Sequence, residues 1–389
     1  MARRWKTIEW PGWIALLVCV QWCGAASLDI NITNAPYGAV PNDGLDDAPA
    51  FQRALDDIYT ATNGAIFIPA GEYTLDSQVF LLCSNTTART FSFRGEGTNS
   101  TVIHCTGTNG GFRLESTPLP RLTTFVRDFT LVADRSGAGT AFAVISPESG
   151  IRQTRAMVAE NLLITRASST DYFDYGLVVG GQHRSLFRNI VFEGPEPAGD
   201  LSDTALIFKP AVGIRLNGSY GGTFYDCRVS SASTAFEMKS EVGEGGTYDG
   251  CSADYCRTGW DIYTPGQEPG FSISGTSVRA RDIGVRIERR RVVSFFDNEF
   301  SALPGSDSYP YKDIYLTNVR FIQLENNVFM PGNTNRICFS LDGEMSSALG
   351  AKRPNSVIIN HNDFNVNRTN AISIGSFVTG VRILDNEYY

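Results

Sequence analysis

Two stretches of this chain say nearly the same thing: Gly221–Met238 reads GGTFYDCRVSSASTAFEM, and Gly245–Ile262, 24 residues later, reads GGTYDGCSADYCRTGWDI. Followed outward, a small polar residue or glycine recurs before a short apolar alternation at Asp128, Asn161, Asn189, Asp226, Gly250, Ser274, Asn298, Asn327, Asn362 and Asn386. The intervals are 33, 28, 37, 24, 24, 24, 29, 35 and 24. A minimum of 24 keeps returning, and the longer intervals are that minimum with an inserted loop. Around these positions lie strings such as DNEF, NNVF, HNDF and DNEY, short period-2 segments cut by Asn, Asp and Gly, which is a strand-and-turn pattern.

A unit of about two dozen residues cannot close a core alone, but stacking one on the next buries a continuous apolar interior. The chain is therefore expected to be all-β, a single-stranded parallel β-helix of about ten or more coils. Asn and Asp suit its turns because they tolerate left-handed backbone and hydrogen-bond along a stack. Propeller blades need about 40 residues each, too many for this period.

With 389 residues, 42% hydrophobic, the chain can bury a large core. A formal charge of −8, with no basic run beyond the first residues, argues against a nucleic-acid partner. Residues 1–26 place Arg3, Arg4 and Lys6 before a short apolar run and end in Gly24-Ala25-Ala26, the layout of a secretory signal peptide cleaved near Ala26. The run is too short for a membrane span. The expected product is a secreted protein with no membrane attachment. Its six cysteines, Cys83, Cys105, Cys227, Cys251, Cys256 and Cys338, would meet an oxidising compartment. Cys227 and Cys251 occupy equivalent coil positions, which permits either a disulfide or a ladder of buried thiols, and Cys83 with Cys105 is a second candidate pair. Five Asn-x-Ser/Thr sites, at Asn31, Asn85, Asn99, Asn217 and Asn367, are glycan acceptors if the source is eukaryotic.

Residues 37–75 read YGAVPNDGLDDAPAFQRALDDIYTATNGAIFIPAGEYTL. Asp46 or Asp47 is expected to cap a helix with Pro49 in its first turn, an apolar face of Phe51, Ala54, Leu55 and Ile58, and a stop at Gly64. The aromatic-Gly-Ala start, the Asn-Asp-Gly turn, the Asp-Asp helix start and the Ile-Pro-Ala-Gly-x-Tyr strand end together resemble the opening segment of the pectate-lyase-like superfamily. Phe91–Gly97, FSFRGEG, resembles its next coil. The resemblance is close over residues 37–105 and architectural beyond. It implies a right-handed β-helix whose open end is covered by a short N-terminal helix, here Asp47 through Thr62, and it implies extracellular polysaccharide chemistry. The motif is shared by glycoside hydrolase family 28-related, glucanase and tail-spike proteins. The Gly-His-Gly and Asn-Thr-Asp strings of polygalacturonases and the Asp-Pro-His-Asp string of alginate epimerases are absent.

Aligning coils turns sequence neighbours two dozen apart into spatial neighbours. Ile214 and Leu216, Phe236 and Met238, Trp260 and Ile262, Val285 and Ile287, Ile314 and Leu316 read as inward pairs. The residues between them face out: Arg215, Glu237, Asp261, Arg286, Tyr315. Two places on, the outward column continues Asn217, Lys239, Tyr263, Glu288, Thr317. Glu237 and Asp261 should then be about 5 Å apart at the backbone, close enough for one proton to be held between them. A hydrolase would use them as acid and nucleophile or base. A lyase would neutralise a uronate carboxylate with Arg215 or Arg286 and take the C5 proton with Lys239 or Tyr263. Glu237, Asp261, Lys239 and Tyr263 are thus the catalytic candidates, and Arg215, Arg286 and Tyr315 the substrate-binding ones. The same alternation of charge also serves solubility and cross-strand pairing alone. Asp249, Asp254, Arg257 and His183-Arg184 are weaker candidates, and His104 and His361 have no metal-ligand spacing.

The expected organisation is a signal peptide over 1–26, an N-terminal cap of helix and first coils over 27–110, and a β-helix body over 111–389. The expected function is degradation of an extracellular polysaccharide by β-elimination of a uronate polymer or by hydrolysis. The alternative is a non-catalytic glycan-binding or spike β-helix. No metal site and no cofactor is assigned, with calcium, used by several lyases of the superfamily, left open. The chain stops in mid-coil at Tyr389, so that end is expected to be covered either by a preceding loop or by another subunit, the latter as a homo-oligomer, a trimer as in related spikes.

Overall fold

The computed structural model describes residues 27–84, 87–117, 122–147, 156–197, 208–209, 211–239, 244–263, 270–303, 311–331, 336–343, 356–365, 371–376 and 378–388. The expected signal peptide and the acceptor sites Asn85 and Asn367 lie outside them. Among the described residues are one helix and thirty-one strands, and the ladder pairings between strands are parallel. Each strand pairs with its counterpart one coil earlier and one coil later, which makes the molecule a right-handed parallel β-helix.

Three faces run its length. Face I holds Thr140–Ile145, Tyr175–Gly180, Val212–Asn217, Thr234–Lys239, the end of Ser252–Tyr263, the end of Ser277–Glu288 and Lys312–Thr317. Face II follows it in each coil, as in Tyr220–Tyr225, Glu244–Asp249 and Phe271–Ser274. Face III completes the turn, as in Arg228–Ser230 and the start of Ser252–Tyr263. Inward side chains from the three faces fill one core with stacked rings, among them Phe236 on Trp260 at 4.6 Å and Phe329 on Phe364 at 4.8 Å. Such offset contacts add to the burial of each ring.

The helix spans Ala48–Ala61 with Asp47 at its N-cap, Pro49 in the first turn and Thr62 at its C-cap. Its buried side includes Phe51, Ala54, Leu55 and Ile58, with Phe51 edge-on to Phe112 at 5.5 Å. Asp46 accepts the Ala48 amide at 3.0 Å, while the Asp47 carboxylate turns away to the amides of Val40 and Thr74. Gly64 is not the stop. It lies inside the strand Asn63–Ile68, where a Cβ would come within 2.5 Å of the Leu28 carbonyl and 2.8 Å of Ile58, so the glycine serves close helix–strand approach.

The small polar marker resolves into two adjacent positions at the turn from face II to face III. Left-handed residues occur at Asp128, Asn161, Asn189, Asp226 and Gly250, then at Gly275, Asp297, Asn326, His361 and Asp385. In the later coils the recurring asparagine is the next residue, buried and laddered: Asn298 donates to Asn327 at 2.8 Å, Asn327 to Asn362 at 2.9 Å and Asn362 to Asn386 at 3.0 Å. Cys227 and Cys251 stand earlier in the same inner column, after the buried Phe129, Leu162 and Ile190. All six described cysteines are buried free thiols, and no disulfide joins them. Cys227 and Cys251 donate instead to the carbonyls of Tyr225 and Asp249, and Cys83 and Cys105 sit on different faces.

Asn327→Ala strands the buried amides that Asn327 accepts from and donates to. It is expected to cost about 1–3 kcal/mol, read as a lower denaturation midpoint. Asn161→Gly, which keeps the left-handed turn and removes only an exposed ladder, should cost a fraction of that.

Candidate functional site

On face I, strand alternation buries Ile214, Leu216, Phe236, Met238, Trp260 and Ile262 and aims the residues between them outward. The cross-coil register is Arg215↔Glu237, Glu237↔Asp261, Asp261↔Arg286 and Arg286↔Tyr315. Beside this column runs Lys239↔Tyr263, Tyr263↔Glu288 and Glu288↔Thr317. The structure therefore brings together all seven residues that the sequence singled out.

Glu237 and Asp261 point outward yet are only 4% exposed each. A buried carboxylate stays charged only with close partners, and both have them. Arg215 pairs with Glu237 while lying 4.3 Å over the Tyr175 ring. Arg286 grips Asp261 through two bonds, Nε to Oδ1 at 2.8 Å and Nη2 to Oδ2 at 2.6 Å. Lys239 stands between the two acids, 2.7 Å from Glu237 and 3.2 Å from Asp261.

No proton shared between the carboxyls is needed, because an ammonium occupies the place between them. Burial works to raise the Asp261 pKa, but Arg286 and Lys239 outweigh it and hold the carboxyl below its ordinary value. The two carboxylates hold Lys239 above the ordinary lysine value despite its own burial, so it stays a cation and is a poor base. Glu288, in the adjoining column and close enough to act on Arg286, brings the patch to three cations and three carboxylates, so its charges balance.

One residue that the sequence reading missed sits on the same face. Lys312 lies in the strand of Tyr315, its Nζ 3.7 Å from that ring's centroid. Burial lowers its pKa, against a smaller opposing pull from Asp342. Among the face I lysines, Lys239 is held charged and Lys312 is pushed towards its neutral form.

The weaker candidates lie elsewhere. Asp249 accepts the Ser274 hydroxyl at 3.0 Å on face II, Asp254 faces Arg279 at 3.6 Å on face III, and Arg257 pairs with Asp282 at 2.6 Å. His104 is bound to Asp134 at 3.0 Å. Among the described residues no group of three or more His, Cys, Asp or Glu side chains is placed to hold a metal ion, and no helix is long and apolar enough to cross a membrane.

Comparison with known proteins gives three findings. The sequence profile of a family described as "Rhamnogalacturonase A/epimerase, pectate lyase-like" matches residues 30–261. No curated protein sequence matches the chain. Among solved structures, DFA-IIIase from Arthrobacter chlorophenolicus A6 without its lid superposes with a TM-score of 0.61 at 11% identity, over 94% of this chain and 99% of that one. The A-module of the Azotobacter vinelandii mannuronan C-5 epimerase AlgE6 superposes with a TM-score of 0.52 at 14% identity, over 93% and 99%. At these identities the likeness is one of fold.

Proposed function

This chain belongs to the pectate-lyase-like rhamnogalacturonase A/epimerase family, and from that premise we propose that it is an exported enzyme that cleaves an acidic polysaccharide by β-elimination on face I. The observation that carries the reading is that two buried carboxylates, Glu237 and Asp261, hold Arg215, Lys239 and Arg286 at the outward surface. Lys312 lies on the same face, its ammonium disfavoured by burial.

A uronate carboxylate drawn to Arg286 and Lys239 has its charge offset, which acidifies the C5–H bond beside it. Neutral Lys312 takes the C5 proton, and the C–H electron pair forms the C4–C5 double bond as the C4–O bond breaks. The Tyr315 hydroxyl, on the same strand, gives its proton to the departing oxygen, and the Lys312 ammonium restores it through solvent. Tyr263, beside Lys239, lines the sugar path. Glu237 and Asp261 act as positioning residues that keep the cations in place. A hydrolase reading asks for one protonated and one ionised carboxyl, and Asp261, held below its ordinary value, suits only the second of these parts. The structural neighbours add support of a coarse kind, since they include a mannuronan epimerase and DFA-IIIase.

A non-catalytic glycan-binding role is the second reading, favoured by the full pairing of both carboxylates. A panel of polysaccharides assayed both for reducing ends and for the absorbance of an unsaturated uronate separates the two. Elimination is expected, with Asp261→Asn lowering kcat/KM about tenfold or more through a misplaced Arg286. Unchanged turnover in Asp261→Asn would remove the pair from the mechanism, and binding without product would leave the second reading standing.

A further inference from the structure

Face II carries a groove of its own, away from face I, near the N-terminal end. It encloses about 570 Å³ and is lined by residues of five successive strands, from Asp29 to Glu160. Its floor holds two half-buried aromatic side chains, Phe67 and Phe125, with Val158 beyond. Phe67, Arg94 and Arg127 are consecutive members of one outward column, and Ser92, Phe125 and Val158 of the next.

Arg94 and Arg127 are in direct register on adjacent coils, about 4.8 Å apart at the backbone. Like charges placed directly opposite each other in a sheet destabilise it. Arg127 is offset by Asp128 at 3.6 Å and faces Glu160 in register on the next coil, a carboxylate already paired with Arg188 at 3.4 Å, whereas Arg94 has no acidic partner among the described residues and lies 6.0 Å over the Phe67 ring. An anion held between the two guanidinium forks removes the repulsion and gains charge-assisted hydrogen bonds. The adjoining rings offer an apolar surface to the C–H face of a sugar.

We infer that this face II groove is a second glycan site, for an oligosaccharide bearing carboxylate or sulfate groups. It is separate from face I and independent of the reaction there. An acidic polymer held on two faces of one rod would remain bound between cleavage events, which raises its effective concentration at face I.

The test is calorimetric titration of the full chain with a galacturonate hexamer, a dextran sulfate of similar length and neutral dextran, in wild type and in Arg94→Gln/Arg127→Gln. Both arginines are exposed, so the double variant should keep its thermal midpoint. Two anionic oligosaccharides per chain are expected in wild type and one in the double variant, whose lost site weakens about tenfold per arginine. The hexamer and the dextran sulfate together tell whether carboxylate, sulfate or either anion is accepted. An unchanged isotherm in the double variant, no binding of either anion, or equal binding of neutral dextran overturns the proposal. If the double variant loses all binding, the face II site stands and the face I reading fails.

Discussion

Replacing Arg336 by methionine is expected to destabilise the protein by about 3–5 kcal/mol, read as a lower denaturation midpoint. Arg336 and Asp313 are almost wholly buried, with side chains 1% and 0% exposed. The guanidinium forks onto the carboxylate at 2.5 and 2.7 Å and gives a further bond to the Phe300 carbonyl at 2.9 Å. Burial by itself pushes the Asp313 carboxyl up, and Arg336 opposes that push. Removing the arginine leaves an uncompensated charge in a dry corner, which is more damaging than removing both members of the pair. The preceding coils show what the corner otherwise holds. Along the column that reaches Asp313 stand Gly213, Ala235, Gly259 and Gly284. Asp313→Ala/Arg336→Met should therefore recover most of the loss suffered by either single variant. Additive losses in the double variant would show that the pair is not the unit of stability.

That corner also marks where reading the sequence stops working. Most strands alternate strictly, so one correct inward residue per strand fixed every outward neighbour. The register of Arg215, Glu237, Asp261, Arg286 and Tyr315 follows from that rule alone. At the start of many face I strands the rule breaks, because two consecutive residues point inward, as with Asp313 and Ile314 or Ala235 and Phe236. Counting back by twos from Ile314 makes Asp313 an outward acid and Lys312 an inward residue. The structure reverses both. The asparagine marker failed by one residue for a related reason. Strings such as DNEF and NNVF hold two adjacent polar residues, one taking the left-handed turn and the other the buried ladder, and composition does not tell them apart. Gly64 looked like a helix stop because a glycine after a helix usually is one, whereas its role here depends on Leu28, a strand far away in sequence. The cysteines were ambiguous because equivalent coil positions bring sulfurs near whether or not they bond.

Lys312→Met is expected to lower kcat about 10²- to 10⁴-fold, the usual share of a positioned base, with KM little changed. Methionine keeps the buried part of the lysine stem, so folding should hold. The pH dependence distinguishes a base from a mere contact. Only neutral lysine accepts a proton, so kcat/KM of the wild type should rise as pH climbs through the Lys312 pKa. Burial places that rise below the ordinary lysine range. The variant should lose this limb and run flat. Lys239 supplies the contrast on the same face. The carboxylates of Glu237 and Asp261 keep it protonated, so Lys239→Gln should raise KM for an anionic chain and leave the position of the limb unmoved. A Lys312→Met enzyme with full turnover and the wild-type limb would transfer the proton abstraction to another group. A limb shifted by Lys239→Gln instead would return that role to the lysine between the two acids. The opposite environments of two lysines on one face are what make the experiment decisive, because each predicts a different parameter for its own removal.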